Sequence, residues 1–297
     1  MSIFSKVENI KTTKEELRAA LNQANVITPL LFPFAGYERQ IRKVPDEKLP
    51  NFFYTLDDKA NVERVEIIFD KDVKYYNIWP EKGSSTVVYP KYKLIYQGSL
   101  DLNLAANRTT WGGDTLEYLE ANNEEFIYTG SNPYAFAVKV FKFPKLNVFS
   151  FARNFAENAV FGPECFPHLV EFNGNVCLND TTPKANITLN ELEKFNGSLC
   201  PNAITEEVFC NKCTEFNGKL AKGRIYHFEN MGTVPHNFLG NNDIVIKCYM
   251  GNISKIDTPT PFSGVNKQIF TLYVKRGSNE TLINQLTSAG IQVMYYA

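Results

Sequence analysis

Cys210 and Cys213 form a Cys-x-x-Cys pair, and with Cys200 and His227 they could supply four ligands of the thiolate and imidazole type that zinc prefers. A structural zinc site normally draws on a second closely spaced ligand pair, and no such pair follows. Core thiols are therefore the first reading of these cysteines, with metal binding and a disulfide as the alternatives. The chain has only three histidines, His168, His227 and His236, which leaves few bases for nucleophilic catalysis. His168 is too close in sequence to Cys165 for a Cys–His dyad, whose members normally come from separate elements. The carboxylate pairs Asp57-Asp58, Asp70-x-Asp72 and Glu124-Glu125 could flank a glycosidic bond. No aromatic platform is tied to them, so solvated turns and strand ends explain them more simply. Asp70-Lys71-Asp72 lacks the rest of a calcium loop, and Gly112-Gly113 reads as a turn and not as a phosphate cradle. No nucleophile elbow, His-Glu-x-x-His, Walker loop or dinucleotide fingerprint occurs. The sequence thus predicts no catalytic residue, no cofactor and no metal site.

The composition agrees with a protein that works by surface and shape. Of 297 residues, 44% are hydrophobic, and 31 basic side chains face 32 acidic ones for a net charge of −1. Such a chain can bury a core, lacks the basic excess of a nucleic-acid binder, and at this length favours two domains over one. No apolar run is long enough to span a membrane as a helix. The opening Met1-Ser2-Ile3-Phe4-Ser5-Lys6-Val7-Glu8 has no basic-then-apolar leader, so the expectation is synthesis and assembly in the cytosol. The six cysteines, all in the second half, then read as reduced thiols. Asn is unusually common at 31 residues, beside 23 Phe and 15 Tyr.

Residues 1–60 read as a helix and a docking segment. Thr13-Lys14-Glu15-Glu16 has the form of a capping box ahead of Leu17, Ala20, Leu21 and Ala24 at helical spacing, and Leu30-Leu31-Phe32-Pro33-Phe34 is apolar with poor helix chemistry. Residues 61–143 carry short β-branched and aromatic runs separated by turn signals. These are Val62–Phe69, Tyr75–Trp79, Ser85–Tyr89, Lys93–Tyr96, Leu100–Leu104, Thr115–Leu119, Glu125–Tyr128 and Ala135–Phe143. Eight strands at this spacing, with no helices between them, predict a β-sandwich or jelly-roll-like domain. Residues 256–297 read as a strand-helix-strand cap, with Ser278 capping a helix over Glu280–Ser288 and Gly290 closing it.

Residues 144–255 contain a repeat. Phe166-x-x-Leu169-x-x-Phe172-Asn173-Gly174 recurs as Leu189-x-x-Leu192-x-x-Phe195-Asn196-Gly197 and as Cys210-x-x-Cys213-x-x-Phe216-Asn217-Gly218. Phe143-x-x-Leu146-x-x-Phe149 is a weaker copy before them, and Asp243-x-x-Ile246-x-x-Tyr249-Met250-Gly251 another after. A period of 21 to 23 residues means solenoid coils that bury their apolar side against one another. Each Asn-Gly is read as the turn of its coil, because Gly accepts positive φ and Asn tolerates it. Cys177 and Cys200 follow equivalent positions and should stack one coil apart. Hairpins of a second sandwich are the competing reading.

The Phe, Leu and Cys positions, notably Val160-Phe161 with Cys165, Leu169 and Phe172, and Phe209-Cys210 with Cys213 and Phe216, resemble leucine-rich repeats of the bacterial surface-protein subtype. In overall appearance the chain also resembles virion structural proteins of crAss-like tailed phages, whose AT-rich genomes suit its Asn, Phe, Tyr, Lys and Ile. The expected fold class is mainly β (α+β): an N-terminal β-sandwich or jelly-roll-like domain, a leucine-rich-repeat-like solenoid, and the C-terminal cap. The resemblance implies a non-enzymatic structural or attachment component of a virion, such as a head fibre, collar ring or tail protein. Its partners would be other virion proteins and further copies of itself, with a host-surface glycan or protein as receptor. Nucleic acid and a membrane span are not expected. A bacterial leucine-rich-repeat adhesion module is the alternative function, and a carbohydrate-active enzyme the third.

Overall fold

The computed structural model describes residues 51–56, 62–69, 91–100, 116–129 and 138–297, apart from 157, 158, 237 and 259. The expected N-terminal helix, Leu30–Phe34, and the strands at Tyr75–Trp79 and Ser85–Tyr89 lie outside the described residues. Residues 93–296 form a parallel β-solenoid of about 8 turns, mainly β with one helix among the described residues.

Two long sheets carry the coils. In the first, β1 (Asn51–Leu56) pairs antiparallel with β2 (Val62–Phe69). The sheet continues in parallel through β3 (Lys91–Tyr96), β4 (Leu116–Ala121) and β6 (Val140–Lys142). Four segments of the span expected as a sandwich, β2, β3, β4 and β6, thus pair side by side in parallel, as successive coils do. The second sheet has nine strands. It begins with β5 (Glu125–Tyr128), β7 (Val148–Phe155), β8 (Glu171–Val176), β10 (Lys194–Phe209) and β11 (Glu215–Phe228), and β9 (Ile187–Thr188) joins it beside β10. It then passes to β13 (Lys247–Met250), β15 (Thr271–Lys275) and β16 (Gln292–Tyr296), all in parallel. The last two are joined by helix α1 (Glu280–Ser288). The strand-helix-strand segment therefore adds two more strands to the solenoid sheet itself. β12 (Thr233–Val234) and β14 (Lys255–Ile256) make a separate two-stranded sheet.

Parallel strands in exact step put identical side chains on top of one another, and this is what the repeat encodes. Phe126, Phe149, Phe172, Phe195 and Phe216 form one inward column with ring centroids 5.7, 5.2, 4.8 and 4.9 Å apart and nearly parallel planes. A fully buried Phe contributes about 1.5–3 kcal/mol, so the column is a major part of the core. Two further columns come from four-residue turns whose first carbonyl accepts from the fourth amide: Phe143–Leu146, Leu189–Leu192, Cys210–Cys213 and Phe228–Met231. Their first and last residues are buried.

These turns correct one expectation. Asn173-Gly174, Asn196-Gly197 and Asn217-Gly218 lie inside β8, β10 and β11, and the chain reverses elsewhere. The three glycines still need their positive φ of 151°, 130° and 156°. They stack, and a Cβ on Gly197 would stand 1.9 Å from the carbonyl oxygen of Gly174. The left-handed residues that turn the corner are Ala156, Cys177 and Cys200 on successive coils, at φ 53°, 52° and 49°.

Two further differences concern where the repeats lie. Phe126 sits one coil upstream of Phe149 although its segment has no Leu-x-x-Leu partner. Asn123 takes that inward place, accepting from the Leu100 amide at 2.8 Å and donating to the Leu100 carbonyl at 3.0 Å. Tyr249 is not the successor of Phe216, because β13 pairs with the second half of β11 and Tyr249 stacks on His227. At the C-terminal end the helix spans the expected residues, but Asn279 caps it, accepting from the amides of Thr281 and Leu282. Ser278 is buried and its hydroxyl instead accepts from the Ile253 amide of the preceding coil.

The glycine column yields the first prediction. Gly197→Ala should destabilise the chain by about 3 kcal/mol or more through backbone collision and a strained φ. Gly162→Ala, where nothing lies within 4 Å of the added carbon, should stay within about 0.5 kcal/mol of the parent. Urea unfolding of the two variants checks both.

Candidate functional site

The predicted site residues divide between core and surface. Phe172 and Phe195 are buried, and Phe216 is half-buried at the end of its column. The last Phe of the column meets Phe228 and Phe238 edge-on, at 5.4 Å each. Asn173, Asn196 and Asn217 are exposed and form a ladder. Each side-chain amide donates to the coil before it: Asn217 to Asn196 at 3.0 Å, Asn196 to Asn173 at 2.9 Å, and Asn173 to the Ser150 hydroxyl at 3.5 Å. A second outward row stacks Phe209, His227, Tyr249 and Tyr273 at 4.4, 5.0 and 4.7 Å. Stacking occupies the flat faces of these rings and leaves their edges outward, so the row offers no open aromatic platform. His227 also lies 3.3 Å from the Glu207 carboxylate.

The Asn ladder borders a cleft. β11 is the last strand with a Phe-Asn-Gly half, because β13 continues only from residues Ile225–Phe228. The chain on this side passes to β12 and β14 instead, and the step leaves a hollow of about 580 Å³. Asn173, Asn196 and Asn217 with Glu171, Lys194 and Glu215 line it on the ladder side, and Thr233, Pro235, Lys255 and Asp257 on the other. Lys255 and Asp257 pair at 2.7 Å. Amides, ammonium groups and carboxylates spread over several coils can hold a polar ligand by many hydrogen bonds.

All six cysteines are buried and free. The Cys210 amide donates to the His227 carbonyl at 2.9 Å, and burial pushes its thiol well above the ordinary value. Cys213 occupies the same turn position as Leu192, and burial raises its thiol to about 12. Such thiols are poor nucleophiles. Cys165 is similarly raised to about 12 by burial, and His168 beside it is exposed. Among the described residues no group of three or more His, Cys, Asp and Glu is arranged to hold a metal ion. Glu124 and Glu125 are exposed, and the other two carboxylate pairs lie outside the described residues.

One polar cluster was not foreseen. Asp180 and Lys184 pair on the loop after Cys177, with side chains only 3% and 5% exposed. The Lys184 ammonium also donates to the Ala159 carbonyl and the Thr182 hydroxyl at 2.9 Å each. Asp180 accepts from the Thr182 amide at 2.8 Å and its hydroxyl at 2.6 Å. Burial pushes the Asp180 carboxyl upward, but its hydrogen bonds from Lys184 and Thr182 outweigh this and hold it below its ordinary value. Beneath the loop, Cys177 donates to the Ala156 carbonyl at 2.9 Å. Cys200 hydrogen-bonds to Cys177 and is held high by that bond and by burial. Asp180-x-Thr182 with Lys184 is a local Asx-type pattern that could have flagged the loop, but only the coil above it makes the pair buried.

Comparison with known proteins finds no matching family model, no similar curated protein and no similar solved structure.

A carboxyl depressed by folding stabilises the fold above its unfolded pKa, and that contribution is lost as pH falls through the folded one. Asp180→Asn should therefore cost about 3 kcal/mol at neutral pH, since it leaves the Lys184 charge buried without its partner. Below about pH 4, near the unfolded carboxylate value, the gap between parent and variant should close. Denaturant unfolding across pH 2.5 to 7 measures it, and a gap independent of pH would count against the ion pair.

Proposed function

We propose that this protein is a non-enzymatic attachment and assembly component that acts through its surface, of the kind that forms head fibres, collar rings or tails of tailed-phage virions. The observation that carries the reading is the cleft at the end of the Asn ladder. It spans several rigid coils, it is lined by hydrogen-bonding groups of both charges, and its lining contains no thiol or imidazole. A solenoid holds such a surface without a hinge, because each coil is locked to the next along its whole length. The virion setting rests on the composition, with its many Asn, Phe and Tyr residues. It implies other particle proteins and further copies of this chain as partners, and a host-surface glycan or protein as receptor.

The stacked Phe, Leu and Cys columns also support a second reading, a bacterial surface-binding module related to leucine-rich repeats. Native mass separates the two. The virion reading expects a symmetric trimer or ring of the purified chain, or stable capture by other particle proteins. A strict monomer with no assembly partner would sink it in favour of the binding module.

A further inference from the structure

On the other side of the Phe216 column, the same step in the sheet opens a second hollow of about 460 Å³. Its apolar floor comes from the half-buried Phe216 and Leu239, together with Phe238. Lys219 stands on β11 directly beside Ser198 of β10, and Lys222 follows three residues later on the same strand. Asn202 and Asn241 come from the preceding corner and from the loop after β12. No Asp or Glu lines this hollow, whereas Glu171, Glu215 and Asp257 line the cleft beside the ladder. Among the described residues neither Lys219 nor Lys222 pairs with a carboxylate, although Lys142, Lys184, Lys212 and Lys255 all do. Two uncompensated ammonium groups over an apolar floor, with amides and a hydroxyl at the side, describe a particular complement. It carries a negative charge, has one apolar face, and is ringed by hydroxyls.

We infer that this hollow is a binding site for a carboxylate-bearing saccharide, a uronate or sialate unit of a surface glycan. The carboxylate meets Lys219 and Lys222, the C–H face of the pyranose rests on Phe216 and Leu239, and its hydroxyls reach Asn202, Asn241 and Ser198. The volume fits one or two sugar rings, within the usual range of small-ligand sites. Charge-assisted bonds from both lysines supply the discrimination against neutral sugars. The inference deepens the attachment reading and rests on it for its biological use.

The test prints glucuronate-, galacturonate- and N-acetylneuraminate-ended trisaccharides on an array beside their methyl esters, which keep the shape and remove the charge. The tightest acidic probe is then titrated calorimetrically into the parent chain, Lys219→Ala, Lys222→Ala and, as a control outside both hollows, Lys145→Ala. Lys145 and Lys219 are exposed and Lys222 half-exposed, and circular dichroism confirms that the variants fold. The expected result is binding of at least one acidic probe, weakened about tenfold by esterification and about tenfold by either Lys219→Ala or Lys222→Ala. Lys145→Ala should leave it unchanged. No retention of any acidic probe, equal binding of the ester, or indifference to both lysine variants overturns the site. Native mass judges the assembly reading separately. An oligomer that ignores acidic sugars loses this site and keeps that reading, and a monomer that binds them does the reverse.

Discussion

The structure depends on one constraint: successive coils must lie in register, residue on residue, across parallel strands. Peptide hydrogen bonds set the strand spacing at about 4.8 Å, and side chains at equivalent positions must live at that distance from their own kind. Flat rings satisfy it by stacking, as the Phe126–Phe216 column does. Amides satisfy it by donating to the amide one coil back, as Asn217 and Asn196 do. Glycines satisfy it where backbones approach too closely for any Cβ, as at Gly174, Gly197 and Gly218. Each column of like residues fixes the register that the others need.

That constraint explains how much of the fold could be read from the residues. The repeat at Phe172, Phe195 and Phe216 was legible because three kinds of column coincide there: ring, amide and glycine. The coil at Phe126 was not, because Asn123 replaces the apolar residue of the turn and meets its needs by hydrogen bonds to Leu100. A buried Asn with all its partners looks, in sequence, like a surface loop. The Tyr249 copy misled for the opposite reason. Its Met250-Gly251 imitates the Asn-Gly step, but the partner strand is the far half of β11, and spacing alone does not say which half a strand will meet. The period announced a solenoid without saying which residues turn the corner. Gly was the natural choice for a left-handed backbone, and Cys177 and Cys200 hold those places.

The candidate sites were less legible than the fold. Phe172, Asn196 and their equivalents were visible as a repeat, and their role is to hold the coils together. Lys219, Lys222, Asn241 and Leu239 carry no shared pattern, since they come from a strand and from a loop that interrupts the repeat. Asp180 and Lys184 could be seen as a local pair, but their burial follows from the corner they cover. The residues that close the two hollows from the far side, among them Thr233, Lys255, Leu239 and Asn241, fall at positions that the period does not govern.

A ladder is also a partly saturated surface. The Asn row uses one amide hydrogen of each residue on the row itself and keeps the other for the cleft, whereas the Phe209–Tyr273 row uses its ring faces on itself. Unsatisfied groups gather where the repeat breaks. Here the break is the end of the Phe-Asn-Gly strands at β11, where Phe216 lacks a parallel ring above it and meets Phe228 and Phe238 edge-on. The same step opens a hollow on each side of that column, one with charges of both signs and one with lysines alone. The interruption of the solenoid and the two hollows have one origin, since the residues that stop stacking are those that line them.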